Sequence, residues 1–184
     1  MKKIITSLSL VLFIAAVSVA QVAKSEMWPN GNKKSEGFYK NVLPLSASAS
    51  KADQQRIADQ VVKVGKWQYW FENGQMQAEE TYTMDGAITG TTKSWYANGT
   101  AQSVINTAAK TATYWFENGQ KQSEGPILAN TTPTGKWTGW YDNGVKNFEG
   151  SYDASGQKDG IWKFWDINGQ PNGQQTFRHG NLVN

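Results

Sequence analysis

One stretch decides the fold: Gly135-Lys136-Trp137-Thr138-Gly139-Trp140-Tyr141-Asp142-Asn143-Gly144. Asn-Gly between two β-prone runs is the strongest short-range hairpin signal, because a type I′ turn needs positive φ at both central residues. The run before the turn is rich in rings, which are enriched in strands. The stretch therefore predicts a strand that enters a tight β-hairpin.

The same turn recurs along the chain. Asn-Gly stands at Asn30-Gly31, Asn73-Gly74, Asn98-Gly99, Asn118-Gly119, Asn143-Gly144 and Asn168-Gly169. The last five copies follow one another at steps of 25, 20, 25 and 25 residues, and the preceding step of 43 residues signals an insertion. A lone hairpin is marginal in water, so successive hairpins must bury their rings against each other. The predicted fold is all-β, with tandem hairpins stacked into an elongated sheet or solenoid.

Four rows of residues keep fixed distances from the turn glycines Gly74, Gly99, Gly119, Gly144 and Gly169. The Trp row lies four residues before the glycine and comprises Trp70, Trp95, Trp115, Trp140 and Trp165. The ring row lies three residues before it and comprises Phe71, Tyr96, Phe116 and Tyr141. Seven residues before the glycine, the inner positions carry Trp67, Trp137 and Trp162, whereas Thr92 and Ala112 break the series. Five residues after it stand Glu79, Glu124 and Glu149. Row members with one spacing are expected to share one structural role.

Strand alternation separates these rings onto two faces. Trp67, Tyr69 and Phe71 share one face, and Trp70 points to the other. Either both faces are covered by neighbouring units, or one row is exposed as a binding surface. Aromatic residues make up 12% of a chain that is poor in aliphatic residues, which favours an aromatic core. The ring row and the three glutamates are the candidate interaction surface.

The first twenty residues predict a secretory signal peptide. Lys2 and Lys3 form a positive start, an apolar run follows, and Ser18-Val19-Ala20 offers small residues at a cleavage site. Cleavage before Gln21 would leave no stable membrane span; an uncleaved anchor is the alternative. The chain is thus expected in the periplasm or outside a bacterial cell.

The remaining chain divides into three parts. Residues 21–40 are a leader with a degenerate first repeat, residues 41–64 are a linker, and residues 65–184 hold five repeats. Within the linker, Ser50 as N-cap and Asp53 predict a short helix over Lys51–Val62 that caps the array. A disordered spacer is the rival interpretation.

Composition excludes several chemistries. The chain has no cysteine and one histidine, His179, so thiolate catalysis and clustered histidine ligands are absent. The glutamates follow the structural repeat, whereas a catalytic pair is a unique device. Removing residues 1–20 leaves 16 bases against 15 acids, which gives no footprint for nucleic acid. We expect no enzymatic activity, no cofactor and no metal.

The pattern Gly-x-Trp-x-x-Trp-Tyr/Phe-x-Asn-Gly-x-x-x-x-Glu-x-x-Tyr resembles the MORN-repeat variant of bacterial antitoxin-like proteins of the YwqK type. The resemblance covers about residues 65–180, with a degenerate copy at 27–39. It implies a row of β-hairpins and a role in protein–protein contact, with membrane association in some eukaryotic cases. An antitoxin with an export signal would meet its target outside the cytoplasm.

These expectations combine into an exported, non-enzymatic repeat protein that binds another protein. The alternative is an aromatic repeat that binds cell-wall polysaccharide. Choline-binding wall modules are superficially similar, but they place their Trp-Tyr-Tyr differently around the turn and lack the glutamate five residues after glycine.

Overall fold

The computed structural model describes residues 21–41, 50 and 61–183. The predicted signal peptide and residues 51–60 of the predicted helix lie outside the described residues. The helix is wrong for its last two residues, because Val61 and Val62 begin a strand and pair with Asn41 and Lys40. Adjacent valines suit a pleated strand better than the end of a helix, and the neighbouring strand decides the outcome.

All described elements are strands, and they form a single antiparallel sheet of 13 strands in chain order. The strands are β1 (Gln21–Met27), β2 (Lys33–Asn41), β3 (Val61–Trp70), β4 (Met76–Tyr82), β5 (Ile88–Trp95), β6 (Ala101–Asn106), β7 (Thr111–Trp115), β8 (Lys121–Pro126), β9 (Gly135–Trp140), β10 (Lys146–Tyr152), β11 (Lys158–Trp165), β12 (Pro171–Arg178) and β13 (Asn181–Val183). Each Asn-Gly turn joins an odd-numbered strand to the next even one, so the tandem hairpins are confirmed. In the described ranges, no helix is long and apolar enough to cross a membrane.

The Asn-Gly turns are not of the predicted type I′. Gly74 has φ of +87°, whereas the asparagine before it is not among the residues with positive φ. The Gly74 N–H donates to Phe71 O at 2.9 Å, and the Phe71 N–H donates to Gln75 O at 2.8 Å. This is a three-residue loop, a type I turn closed by a left-handed glycine. Two consecutive positive φ values occur instead at His179-Gly180, between β12 and β13.

The turn asparagines connect successive hairpins along one side of the sheet. Asn73 accepts the Gln75 N–H on its Oδ1 at 3.0 Å and donates from Nδ2 to Ala97 O of the next turn at 2.8 Å. We call the full series the Asn ladder: Asn30 to Glu72, Asn73 to Ala97, Asn98 to Glu117, Asn118 to Asp142 and Asn143 to Ile167. Aspartate could provide the acceptor but not the donor, which explains why asparagine occupies these turns.

The inner tryptophans lie against glycines of the preceding strand. The ring of Trp67 covers Gly37 so closely that a Cβ there would overlap the indole. The Trp67 Nε1–H also donates to Phe38 O at 3.0 Å, so the indole leaves no unpaired polar atom. The pairs Trp137 with Gly125 and Trp162 with Gly150 repeat this geometry, including the hydrogen bond to the residue after the glycine.

These three indoles are the most buried rings of the described chain. Trp67, Trp137 and Trp162 are 2%, 5% and 1% exposed. Where the inner position carries Thr92 or Ala112, the preceding strand has Glu80 or Ile105 in place of glycine. Tryptophan and glycine therefore occur together or not at all.

We expect Gly150→Ala to destabilise the protein by about 1–3 kcal/mol, because the added methyl overpacks against the Trp162 indole. In a Trp162→Thr background, which imitates Thr92, the same change should cost little. Urea unfolding of the four proteins, monitored by circular dichroism, gives a coupling energy of about 1–2 kcal/mol. Equal costs in both backgrounds would show that ring and glycine are not coupled.

The Asn ladder predicts a contrast between two turns that share the sequence Asn-Gly-Gln. Asn118→Asp removes the donor to Asp142 O, which is 2.6 Å away, and places a carboxylate beside that carbonyl. The free energy of unfolding should fall by about 1–2 kcal/mol. Asn168→Asp is the matched control, since among the described residues the Asn168 side chain donates to no neighbouring turn, and it should change stability by less than about 0.5 kcal/mol. Similar losses at both positions would mean that the ladder contributes nothing specific.

Candidate functional site

The two faces of the sheet carry different rows of side chains. We call one face the groove face, because grooves open beside its rings. It bears the inner tryptophans and the ring row, and Trp67 stacks on Tyr69 there at a centroid distance of 6.1 Å. We call the opposite face the ladder face; it bears the Trp row and the repeating glutamates and is distinct from the Asn ladder of the turns. Glu79 lies on this face because it pairs with Gln68, whose side chain points away from those of Trp67 and Tyr69. The candidate interaction surface is thus divided, because its rings and its acids lie on opposite faces.

On the ladder face, lysines cover members of the Trp row and pair with the glutamates. The Lys146 ammonium lies 5.0 Å from the Trp165 ring centroid and 3.2 Å from the Glu149 carboxylate. The same triad recurs as Lys33 with Trp70 and Glu36, and as Lys121 with Trp140 and Glu124. Three of the five Trp-row rings, Trp70, Trp140 and Trp165, therefore have a lysine that also pairs with a glutamate.

Glu79 and Glu149 also bind lysines of the strand before the turn. Lys66 lies 2.7 Å from Glu79, and Lys136 lies 3.1 Å from Glu149. Hydrogen bonds from Lys136 and Lys146 lower the pKa of the Glu149 carboxyl. The recurring acids are paired with lysines, which matches their interpretation as structural positions.

On the groove face, three ring-bearing residues bridge successive units. Tyr96 donates its hydroxyl to Trp115 O at 2.8 Å, and Tyr141 donates to Trp165 O at 2.9 Å. Trp28 takes the same place in the first unit, and its Nε1–H donates to Trp70 O at 3.0 Å. Each ring spans the step to the next hairpin and is held there. The ring row and the Trp row are both half-buried. The sheet therefore has neither two fully covered faces nor one fully exposed row of rings.

Three grooves open beside the ring row. The first, between Trp28 and Phe71, has a volume of about 440 Å³, and the second, between Phe71 and Tyr96, about 530 Å³. The third lies beside Tyr141 and has a volume of about 380 Å³. Each groove is lined by at least one carboxamide three residues after a turn glycine: Gln77, Gln102, Asn147 or Asn172. Rings and carboxamides thus recur together along this face.

The first groove also holds a lysine in an aromatic setting. The Lys63 ammonium lies 4.7 Å and 4.9 Å from the ring centroids of Trp67 and Tyr69, and it donates to the Tyr69 hydroxyl at 2.6 Å. Tyr82 donates its hydroxyl to Glu80 at 2.6 Å. Burial raises the pKa of Tyr69 far above its usual value and that of Tyr82 to about 12. Both phenols therefore remain protonated donors near neutral pH.

The single histidine is tied to a neighbouring turn. His179 Nδ1 lies 2.8 Å from the Asp153 carboxylate, and this contact lowers the pKa of Asp153. The His179 side chain is 72% exposed, so it is a surface residue, and its contact with Asp153 connects the β12–β13 turn to the turn after β10. Within the described ranges, no cluster of acids and histidine has the composition of a metal site.

Two features of the groove face escaped the sequence interpretation. The carboxamides stand three residues after the turn glycine in five successive units, as Gln77, Gln102, Gln122, Asn147 and Asn172. The glycines under the inner tryptophans likewise recur six residues after the turn glycine, as Gly37, Gly125 and Gly150. Both patterns can be found by aligning the repeats on the turn glycine. Polar and small residues are common in strands and turns, so neither pattern by itself indicates a special role.

Comparison with protein families places four segments of the chain in one repeat class. The family model of the MORN repeat variant matches residues 26–41, 63–83, 133–154 and 158–179. MORN repeats are in general modules that bind proteins or membranes. The matched segments include all three inner tryptophans, and the intervening residues 84–132 include Thr92 and Ala112. No curated protein matches the chain. The narrower antitoxin-like assignment stays a prediction.

The lysine pairing of Glu149 predicts a defined acid titration. Because the pKa of its carboxyl is lowered in the folded state, Glu149 stabilises the fold above its unfolded pKa near 4.5. This contribution is lost as the pH falls through the lower, folded pKa. In Lys136→Met and Lys146→Met, carboxyl-detected NMR should show the pKa of Glu149 rising towards 4.5. An unchanged pKa in both variants would mean that the two lysines do not hold the carboxylate.

Proposed function

We propose that the chain is an exported, non-enzymatic interaction module that binds another protein along its groove face. The observation that carries this proposal is the asymmetry between the two faces. The ladder face pairs its own lysines, rings and glutamates. The groove face presents half-buried rings and carboxamides beside open grooves. The ladder face also has a cleft of about 480 Å³ beside Glu36, Lys66 and Gln68, but only the groove face repeats a ring and a carboxamide beside a groove in successive units. A partner therefore finds a periodic series of stacking and hydrogen-bonding positions on the groove face.

The placement of the rings supports a binding role. Tyr96 and Tyr141 are held by hydrogen bonds to the next hairpin, so little side-chain entropy is lost when a ligand packs on them. Tyrosine and tryptophan combine a large apolar surface with polar groups, and they are enriched where proteins bind each other. The match to an interaction repeat agrees with this use of the face.

The chemistry of the ionisable groups supports a non-enzymatic role. The repeating glutamates pair with lysines, and a raised pKa keeps the half-buried phenols of Tyr69 and Tyr82 protonated. Acid–base catalysis needs a group whose pKa lies near the working pH and that faces a substrate site. These glutamates and phenols act instead in ion pairs and hydrogen bonds within the sheet.

Export places the partner outside the cytoplasm. Residues 1–20 have the charge pattern and small-x-small site of a signal peptide. If the antitoxin-like resemblance extends to function, the chain neutralises a protein that arrives from outside or acts in the envelope. The groove face would then be the neutralising surface.

Carbohydrate binding is the second candidate, and one observation favours it. Gln77, Gln102, Asn147 and Asn172 each carry a donor and an acceptor beside a ring, a combination that suits sugar hydroxyls above a stacked sugar. A glycan would occupy the same face as a protein partner. The two candidates therefore differ in ligand class and not in location.

Crosslinking in the native envelope fraction tests the proposal. The mature wild-type chain should recover protein partners, and the double variant Tyr96→Leu with Tyr141→Leu should lose most of that recovery. The matched control is Lys93→Ala with Lys163→Ala, two exposed residues of the ladder face. Recovery of peptidoglycan without protein, or equal loss in the control variant, would reject the protein-binding groove face.

A further inference from the structure

We infer that the groove face binds a polyproline II segment: an uncharged stretch with proline at every third residue and an acidic residue at the end that reaches the first groove. This inference rests on the proposed function and specifies the partner. The segment would run across the strands, along the side of the sheet where the Asn-Gly turns line up.

The spacing of the ring row is the first argument. Trp28, Phe71, Tyr96 and Tyr141 belong to hairpins that follow one another in the sheet, with the Phe116 hairpin between the last two. Each step covers two strands, or about 9.4–9.8 Å at the usual strand separation. Polyproline II rises about 3.1 Å per residue, so three residues advance about 9.3 Å. Every third residue can therefore meet an equivalent ring.

Other peptide conformations do not share this period. In an extended strand, equivalent side chains recur after about 6.6–6.8 Å, and a helical turn advances about 5.4 Å. Doubling them gives about 13.2–13.6 Å for the strand and about 10.8 Å for the helix, which miss the step by about 3.4–4.2 Å and about 1.0–1.4 Å. Polyproline II misses it by only about 0.1–0.5 Å, so it is the peptide conformation that best keeps register along several units.

The chemistry of the grooves fits this backbone. Polyproline II has no internal hydrogen bonds, so its carbonyls are free to accept. Gln77 and Gln102 in the second groove, and Asn147 and Asn172 in the third, bring amide donors beside the rings. Aromatic-lined grooves are a recurring way to bind proline-rich segments, because the preformed helix loses little entropy. Along the face, a proline that packs on a ring would alternate with a backbone carbonyl that accepts a hydrogen bond from a carboxamide.

The charges that line the grooves indicate where the bound segment is neutral and where it is acidic. The third groove is lined by no charged side chain, and the second includes only Glu117. In the first groove, among the described residues, the ammonium groups of Lys34 and Lys63 have no carboxylate within ion-pair distance, although Glu26 and Glu72 line its rim. The segment should therefore be neutral over the later grooves and acidic at the first.

Fluorescence anisotropy with the mature chain tests this inference. The probe is a fluorescein-labelled peptide of about five Pro-Ala-Ala triplets with Glu at both ends, so that either direction satisfies the first groove. The comparison peptides have the same composition with irregularly spaced prolines, or the regular spacing with Gln at both ends. We expect the regular acidic peptide to bind at least about tenfold more tightly than the irregular one.

Protein variants test the contributions of the Tyr96 ring and the Lys63 ammonium separately. Tyr96→Leu should weaken binding of the regular peptide by about tenfold, whereas Tyr96→Phe keeps the ring and should change it less than about threefold. Lys63→Gln should abolish the advantage of the Glu-ended peptide over the Gln-ended one. Lys93→Ala, on the ladder face, should change nothing. Circular dichroism confirms that each variant keeps the sheet.

Three outcomes would overturn the inference. The first is equal binding of regular and irregular peptides, and the second is binding unaffected by Tyr96→Leu. The third is binding of cello- or chito-oligosaccharides with no binding of either peptide, which would assign the face to a glycan. If the peptides fail but the groove-face double variant still loses its native protein partner, the polyproline II chemistry is wrong and the proposed function stands.

Discussion

Burial of an indole on a glycine of the neighbouring strand is the interaction on which the described sheet depends. Residues 21–41 and 61–183 form one sheet in a single layer, so no second layer of these residues covers its rings. Trp67 and Trp162 become 2% and 1% exposed by lying on Gly37 and Gly150 while their N–H groups bond the next carbonyl. Each pair joins two hairpins, so nearest-neighbour contacts replace the core of a layered domain.

The position of the ring row follows from this stacking. Because each hairpin is held on the one before it, the Asn-Gly turns align and Asn143 of one turn reaches the backbone of the next. Tyr141 then lies within 2.9 Å of a carbonyl in the following hairpin, and a groove opens beside it. On the opposite face, Lys146 satisfies both Trp165 and Glu149. One repeat therefore produces a face of lysine–ring–glutamate contacts and a face with recurring grooves beside the ring row.

The sequence predicted the tandem hairpins, the division of Trp70 and Tyr69 between faces, and a repeat-bound position for the glutamates, but not their lysine partners. It predicted the wrong turn type, because a left-handed glycine serves a three-residue loop as well as a type I′ turn, and Asn-Gly suits both. The link between Trp67 and Gly37 was missed because it joins residues of different units across the insertion. The helix prediction failed at Val61 because pairing with the first repeat overrides a local capping pattern.

The two units that lack an inner tryptophan show which contacts are sufficient for the hairpin. At Thr92 and Ala112 there is no indole on glycine, and residues 84–132 lie outside the family match. These units nevertheless keep the sheet order, because Asn98 continues the Asn ladder and Tyr96 bonds the next hairpin. Ala112 is buried with Ile127 against Trp137, so aliphatic packing takes over there. The indole thus sets how firmly a unit is stacked, whereas the turn and the ring row set where it lies. For this reason the ring row runs unbroken through units whose cores differ, and a ligand that follows the row meets the same spacing throughout.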